Sequence, residues 1–186
     1  LVVQKATPDE LEREIRAQVD RALGMGIEVT HLDTHMGTVF ATPEFFERYA
    51  KVGIEKGIPI LIMGSIEGTG LDEGMAEPVR AAADMVWAAG LPVIDFVHTD
   101  SYGWRTTEKL PHFTEAVRAL KPGITEMIIH CTKPDDVIEV INGGRTHLYG
   151  DYTAMINPEL KKVIEEEGVI LTTWRELKAR RQKAGK

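Results

Sequence analysis

The stretch "VTHLDTHMGTVF", Val29 to Phe40, sets His31, Asp33 and His35 at alternate positions behind an apolar lead-in. Side chains of a strand alternate between its two faces, so this spacing puts two imidazoles and a carboxylate on one face of a strand end. Such a face either holds a metal and does chemistry there, or is the ordinary polar end of a buried strand. The surrounding sequence bears on which.

The lead-in belongs to a series. "IEVTHLD" (27–33), "IPILIM" (58–63), "LPVIDFV" (91–97), "GITEMIIH" (123–130) and "VILT" (169–172) are short apolar runs, each preceded by a helix signal and a glycine break. Thr7-Pro8-Asp9-Glu10 is a capping box, and Leu11, Ile15, Val19 and Leu23 follow as one apolar helical stripe ending near Gly24 to Gly26. Thr42-Pro43 opens a second helix closing at Gly57, and further helices are expected over 75–89, 107–120 and 157–168. Thr173 and Glu176 cap a last one. Helix and strand alternate throughout, which predicts an α/β fold with a parallel sheet, its strands buried on both faces. No linker divides the chain, so residues 1–186 read as one domain. Five strands are too few to close an eight-stranded barrel. An open sheet is one reading; the other is a barrel whose first strands precede Leu1.

Composition narrows the classes. The 186 residues are 43% hydrophobic and 27% charged, with a net charge of -7, which argues against a polyanion-binding surface and hence against nucleic acid. The basic run "KARRQKAGK" (178–186) reads as a frayed, solvated tail. The single cysteine, Cys131, allows no intrachain disulfide and fits a reducing, cytoplasmic setting. No apolar run reaches the roughly 18 residues of a membrane span, so no membrane partner is expected.

Polar residues gather where parallel α/β folds place their chemistry, at the carboxyl ends of strands. His31, Asp33 and His35 end the first run, Asp95, His98 and Asp100 the third, and His130 the fourth. Strand parity puts Glu126, Ile128 and His130 on one face. If that face and the His31 face share a pocket, imidazoles and carboxylates converge as ligands suited to a divalent ion. Tyr102 and Trp104, in the loop "HTDSYGWRTT", are placed either to stack on a sugar ring or to pack the loop. Cys131 follows His130 directly and points the other way, which disfavours a Cys-His pair. "GSIEGTG" (64–70) reads as a flexible loop, and His147 falls in a loop, "NGGRTHLYGDY" (142–152).

These motifs resemble a family. "THLDTHMGTVF" resembles the T-H-L-D-S-H-H-H-V-H segment of the YdjC-like carbohydrate deacetylases, and "GITEMIIHCTKP" resembles their later strand ending in His-Pro. "GDYTAMINPELKKVIEEEGVILTTWREL" is similar to their C-terminal region. The resemblance implies a TIM-barrel-like (β/α) hydrolase that uses a divalent ion, magnesium or zinc, to remove acetyl groups from N-acetylated sugars such as chitooligosaccharides. It implies His35 as a metal ligand and His130 as the proton donor to the departing amine, a task suited to a group titrating near neutrality. Asp33 and Glu126 would then orient His35 and His130, and His31 would be supporting. A homodimer is left open. The family's additional histidines after the position of His35 are absent here, where Met36, Gly37, Thr38 and Val39 stand, and Cys131 replaces the proline. The family's Asp-Asp strand and early histidine have no counterpart, so the expectation is that the chain is the C-terminal two-thirds of such a protein, inactive when alone. A non-catalytic sugar-binding relative, or another TIM-barrel metal hydrolase or isomerase, remains the alternative.

Overall fold

Helix starts fall where the capping residues set them in the computed structural model, which describes residues 2–133, 135–142 and 146–185. Leu1, Pro134, the 143–145 part of the expected 142–152 loop, and Lys186 lie outside the described residues. In chain order the elements are α1 (Val2–Lys5), α2 (Pro8–Gly24), α3 (Pro43–Lys56), α4 (Ala76–Ala88), β1 (Phe96–His98), α5 (Lys109–Arg118), β2 (Thr125–Met127), α6 (Asp136–Asn142), α7 (Thr146–Met155), α8 (Pro158–Glu166) and α9 (Trp174–Ala184), with short 3-10 turns between several of them. Both expected capping boxes are formed, Thr7 with Glu10 and Thr173 with Glu176. Each holds its glutamate below the usual carboxylate range, by hydrogen bonds from the threonine. The chain is a helix-rich α/β protein, divided into two compact units: residues through Phe96 with those from Thr172 onward, and Val97–Leu171.

In the first unit the run Ile58 to Met63 is buried at every residue, as a strand covered on both faces should be. Parallel bridges join Leu32 to Ile60 and Met63 to Ile94. Leu32 N–H donates to Pro59 O at 2.8 Å, Leu61 N–H to Leu32 O at 2.8 Å, and Gly64 N–H to Ile94 O at 2.8 Å. The predicted strands 27–33 and 58–63 therefore pair only at isolated points. The hydroxyl of buried Tyr49, from α3, reaches into this ladder, donating to Leu32 O at 2.6 Å and accepting from Leu61 N–H at 3.0 Å. Phe45, Phe46, Val52, Val79 and Val86 complete the core from α3 and α4. Outside it, Glu12 on α2 accepts from Arg16 at 2.7 Å and from Lys51 on α3 at 3.0 Å, with Arg48 at 3.4 Å. The pairs line an open cleft of about 300 Å³ and tie α2 to α3.

The basic terminus is no frayed tail. It is α9, where Lys178 Nζ donates to Gly57 O at 2.7 Å and Arg181 donates to Trp87 O at 2.6 Å with its guanidinium 3.9 Å over the Trp87 ring. Alkyl stems and guanidinium planes cover apolar surface while their charge stays wet, so a basic run docks where composition alone suggests solvation.

In the second unit Phe113, Val117, Ala154, Leu160 and Val163 form the core, with Met127 and Trp104 packed against it. β1 pairs with β2. "VILT" is not a paired strand among the described residues: Ile170 and Leu171 are largely exposed. Of the 142–152 stretch read as loop, residues 146–152 lie in helix α7, and α6 ends at Asn142. Among the described residues no helix is long and apolar enough to cross a membrane.

Gly53 marks the tightest approach of α3 to the ladder, since a Cβ there would lie 2.2 Å from Ile60 Cγ2 and 3.1 Å from Ile58 O. Alanine in a helix interior gains about 1 kcal/mol over glycine, but overpacking a rigid core costs about 1–3 kcal/mol. Gly53→Ala is expected to destabilise the protein, read as a lowered denaturant midpoint at unchanged m-value.

Candidate functional site

The run that opened the sequence does not keep its strand parity. Past Asp33, whose Oδ1 accepts Thr34 N–H at 2.6 Å, the chain turns into a 3-10 stretch, His35–Phe40. Met36 (φ 54°) and Gly37 (φ 66°) take left-handed conformations there, a tight reversal no strand can hold. Thr38 Oγ1 donates to His35 O at 2.9 Å and Val39 N–H to Thr34 Oγ1 at 3.2 Å, closing the turn. His35 thus sits exposed at the head of a turn, not on a strand face with His31. His31 is half-buried, its ring stacked on Trp174 at 5.4 Å and its Nδ1 3.0 Å from Thr30 Oγ1. Burial holds its pKa below the ordinary histidine value, against the opposing pull of Asp33.

His130 is placed by a different device. Beyond β2 alternate amides are tied: Ile128 N–H to His98 O at 2.9 Å, His130 N–H to Asp151 Oδ2 at 2.9 Å, Thr132 N–H to Leu148 O at 3.2 Å. Asp151 and its partner Lys109 are both buried, Nζ lying 2.7 Å from Oδ1. Lys109 also donates to Ser101 O, and Ser101 Oγ donates to Ile128 O at 3.0 Å. The His130 side chain itself is exposed. The edge-on ring of Tyr102 lies 5.3 Å from it, and Tyr102 meets the His147 ring at 4.9 Å. Two imidazoles and a phenol, 45% exposed, therefore form one surface.

Of the other residues singled out, Trp104 is half-buried, its ring on Phe113 (5.0 Å), His112 (4.9 Å) and His98 (5.5 Å). Glu126 lies half-buried in β2. Burial pushes the exposed-edge Cys131 thiol above its ordinary pKa, which argues against a thiolate nucleophile. Among the described residues no three His, Cys, Asp or Glu side chains come together as a metal-holding group. These residues therefore do not by themselves make a complete cation centre.

Sequence reading passed over Lys109 and Asp151 and gave His147 to a loop. A signal existed: Lys109 stands on the stripe that continues through Phe113 and Val117, a charged residue at a core position. Gly150 hid the helix that carries the other two. A Cβ there would lie 2.7 Å from Lys109 Cγ and 2.9 Å from Thr106 Cα, so this glycine serves close helix contact and not a loop.

His31 gives a pH test. Its folded pKa lies below its unfolded value of about 6.5, so the unfolded chain takes up the proton first and stability falls as pH drops through that value. The stability of wild type relative to His31→Phe is expected to shrink between about pH 7.5 and pH 5, measured by chemical denaturation at each pH.

A crystal structure of a candidate cellobiose-phosphate cleavage protein from Enterococcus faecalis V583 shares the fold, at a TM-score of 0.73 and 16% identity, covering 94% of this chain and 62% of that one. A carbohydrate deacetylase of Thermus thermophilus is 27% identical over 172 residues, 92% of this chain and 61% of the relative. A carbohydrate deacetylase of Brevibacillus brevis is 38% identical over 55 residues, 30% of this chain and 22% of that protein. The chain thus spans about three-fifths of the Thermus relative's length. The family model for YdjC-like protein matches residues 1–166, and the chain belongs to the YdjC-like family.

Proposed function

We propose that the protein acts in hydrolytic removal of acetyl groups from N-acetylated sugars, with His130 as the proton donor. The observation that carries this reading is the exposed His130 ring on a segment whose backbone is tied at three alternate amides, beside an aromatic surface. Family membership and the names of the two bacterial relatives support the substrate class.

Water adds to the acetamide carbonyl, and the C–N bond then breaks. An amine departs poorly as an anion, so its nitrogen must take a proton as the bond opens; on this reading His130 gives it. Tyr102, half-exposed against His130, offers a phenol face and edge to a sugar ring. His35 is proposed as one ligand of a divalent ion, magnesium or zinc. The described residues bring no three donors together, so such an ion calls for donors beyond this set, and no step is routed through it. The TIM-barrel-like frame is likewise proposed, supported by parallel bridges between β segments successive in the chain.

In the full-length protein, acetate release from N-acetylated glucosamine oligosaccharides, assayed with magnesium or zinc supplied, is expected to fall by about 100-fold or more in His130→Ala. Release at the wild-type rate in that variant rejects the proton-donor role. Sugar binding without any acetate release by the full-length protein, with either metal present, favours non-catalytic sugar binding instead.

A further inference from the structure

A strand end normally takes its amide acceptors from the backbone of a neighbouring strand. The segment after β2 follows that rule at Ile128, whose amide meets His98 O in β1, and the Thr132 amide also meets a backbone carbonyl, that of Leu148 in α7. His130, midway between them, breaks it: its acceptor is a side chain, the Asp151 carboxylate, 0% exposed. We infer that the Asp151–Lys109 pair is a positioning device for His130, the carboxylate standing in for a missing neighbour carbonyl and the ammonium balancing its charge.

The links close into a ring. Asp151 holds the His130 amide, Lys109 holds Asp151 and the Ser101 carbonyl, and the Ser101 hydroxyl holds the Ile128 carbonyl, two residues before His130. Each aromatic partner of the site hangs from the same ring. Tyr102 follows Ser101, and His147 precedes Asp151 by one turn on α7, on the same face. Gly150 lets α7 approach close enough for this contact, because any larger residue would meet Lys109 Cγ and the Thr106 backbone. A buried ion pair adds little net stability over apolar side chains of the same volume. Its contribution here is direction: a fixed acceptor at one amide. Asp151 and Lys109 are positioning residues, since neither is exposed to a substrate. The inference rests on reading His130 as the proton donor, but its primary test does not depend on activity.

The test compares Lys109→Met/Asp151→Leu, which removes both charges and the acceptor, with Lys109→Met/Asp151→Asn, which removes both charges and keeps an acceptor oxygen. Amide hydrogen exchange is read at His130 and, as a control, at Phe113 and Val117 in α5. In the wild type the His130 amide is expected to be protected although its side chain is exposed. Protection at His130 is expected to fall by about 10-fold or more in the leucine variant, with Phe113 and Val117 unchanged, and to return in the asparagine variant. Where acetate release is measured, kcat of the leucine variant is expected to fall by about 10-fold at unchanged KM, as a misaligned donor requires. Three results overturn the inference: an unprotected wild-type His130 amide, full protection in the leucine variant, or a loss in the asparagine variant equal to that in the leucine one. If the leucine variant does not fold, the wild-type and asparagine measurements still decide. Acetate release unaffected by His130→Ala would remove the proton-donor reading while leaving the exchange result standing, so the two failures are separable.

Discussion

One carboxylate sealed from water governs the geometry of the second unit. Asp151 could not remain buried and charged without Lys109, and Lys109 could not without Asp151, because an isolated ion in a low-dielectric interior carries a desolvation cost of several kcal/mol. Their mutual need forces α5 and α7 together at one point. Ser101 and His130 are then placed by the donors and acceptors left over. The aromatic surface of Tyr102, His130 and His147 is the outward expression of that interior arrangement. Reactive groups at a protein surface are mobile unless their backbone is held, and here the holding is done by hydrogen bonds to charged partners, stronger than neutral ones.

The first unit solves a related problem by other means. Its ladder pairs at scattered points, and Tyr49 supplies a hydroxyl that both donates and accepts where carbonyl and amide alone would leave a weak joint. Gly53 removes the side chain that would keep α3 away. In both units, then, a helix is drawn close by a glycine, and a polar side chain from that helix completes hydrogen bonding that the short strands leave open.

What the sequence made legible follows from what is local. Helix starts at Thr7, Thr42, Asn157 and Thr173 were readable because a cap is decided within four residues. The burial of Ile58 to Met63 was readable because an apolar run without polar interruption has nowhere else to go. His35 was misplaced because strand periodicity carries no mark of where it stops, and the stop is set by Met36 and Gly37 in left-handed conformations. Helix α7 was missed because its glycine read as loop punctuation, whereas Gly150 serves contact across the fold. The Lys109–Asp151 pair spans two elements far apart in sequence, and no single window contains both.

The path of the chain through the first unit has a kinetic meaning. This unit is made of two sequence-distant pieces, with Trp174 on His31, Arg175 3.0 Å from Glu28, and Lys178 on the carbonyl that ends α3. During synthesis those contacts cannot form until the last helix has left the ribosome, after all of Val97–Leu171 has been made. Closing so long a loop is entropically costly and slows folding. An intervening segment that folded first would shorten the effective loop and so lessen that entropic cost.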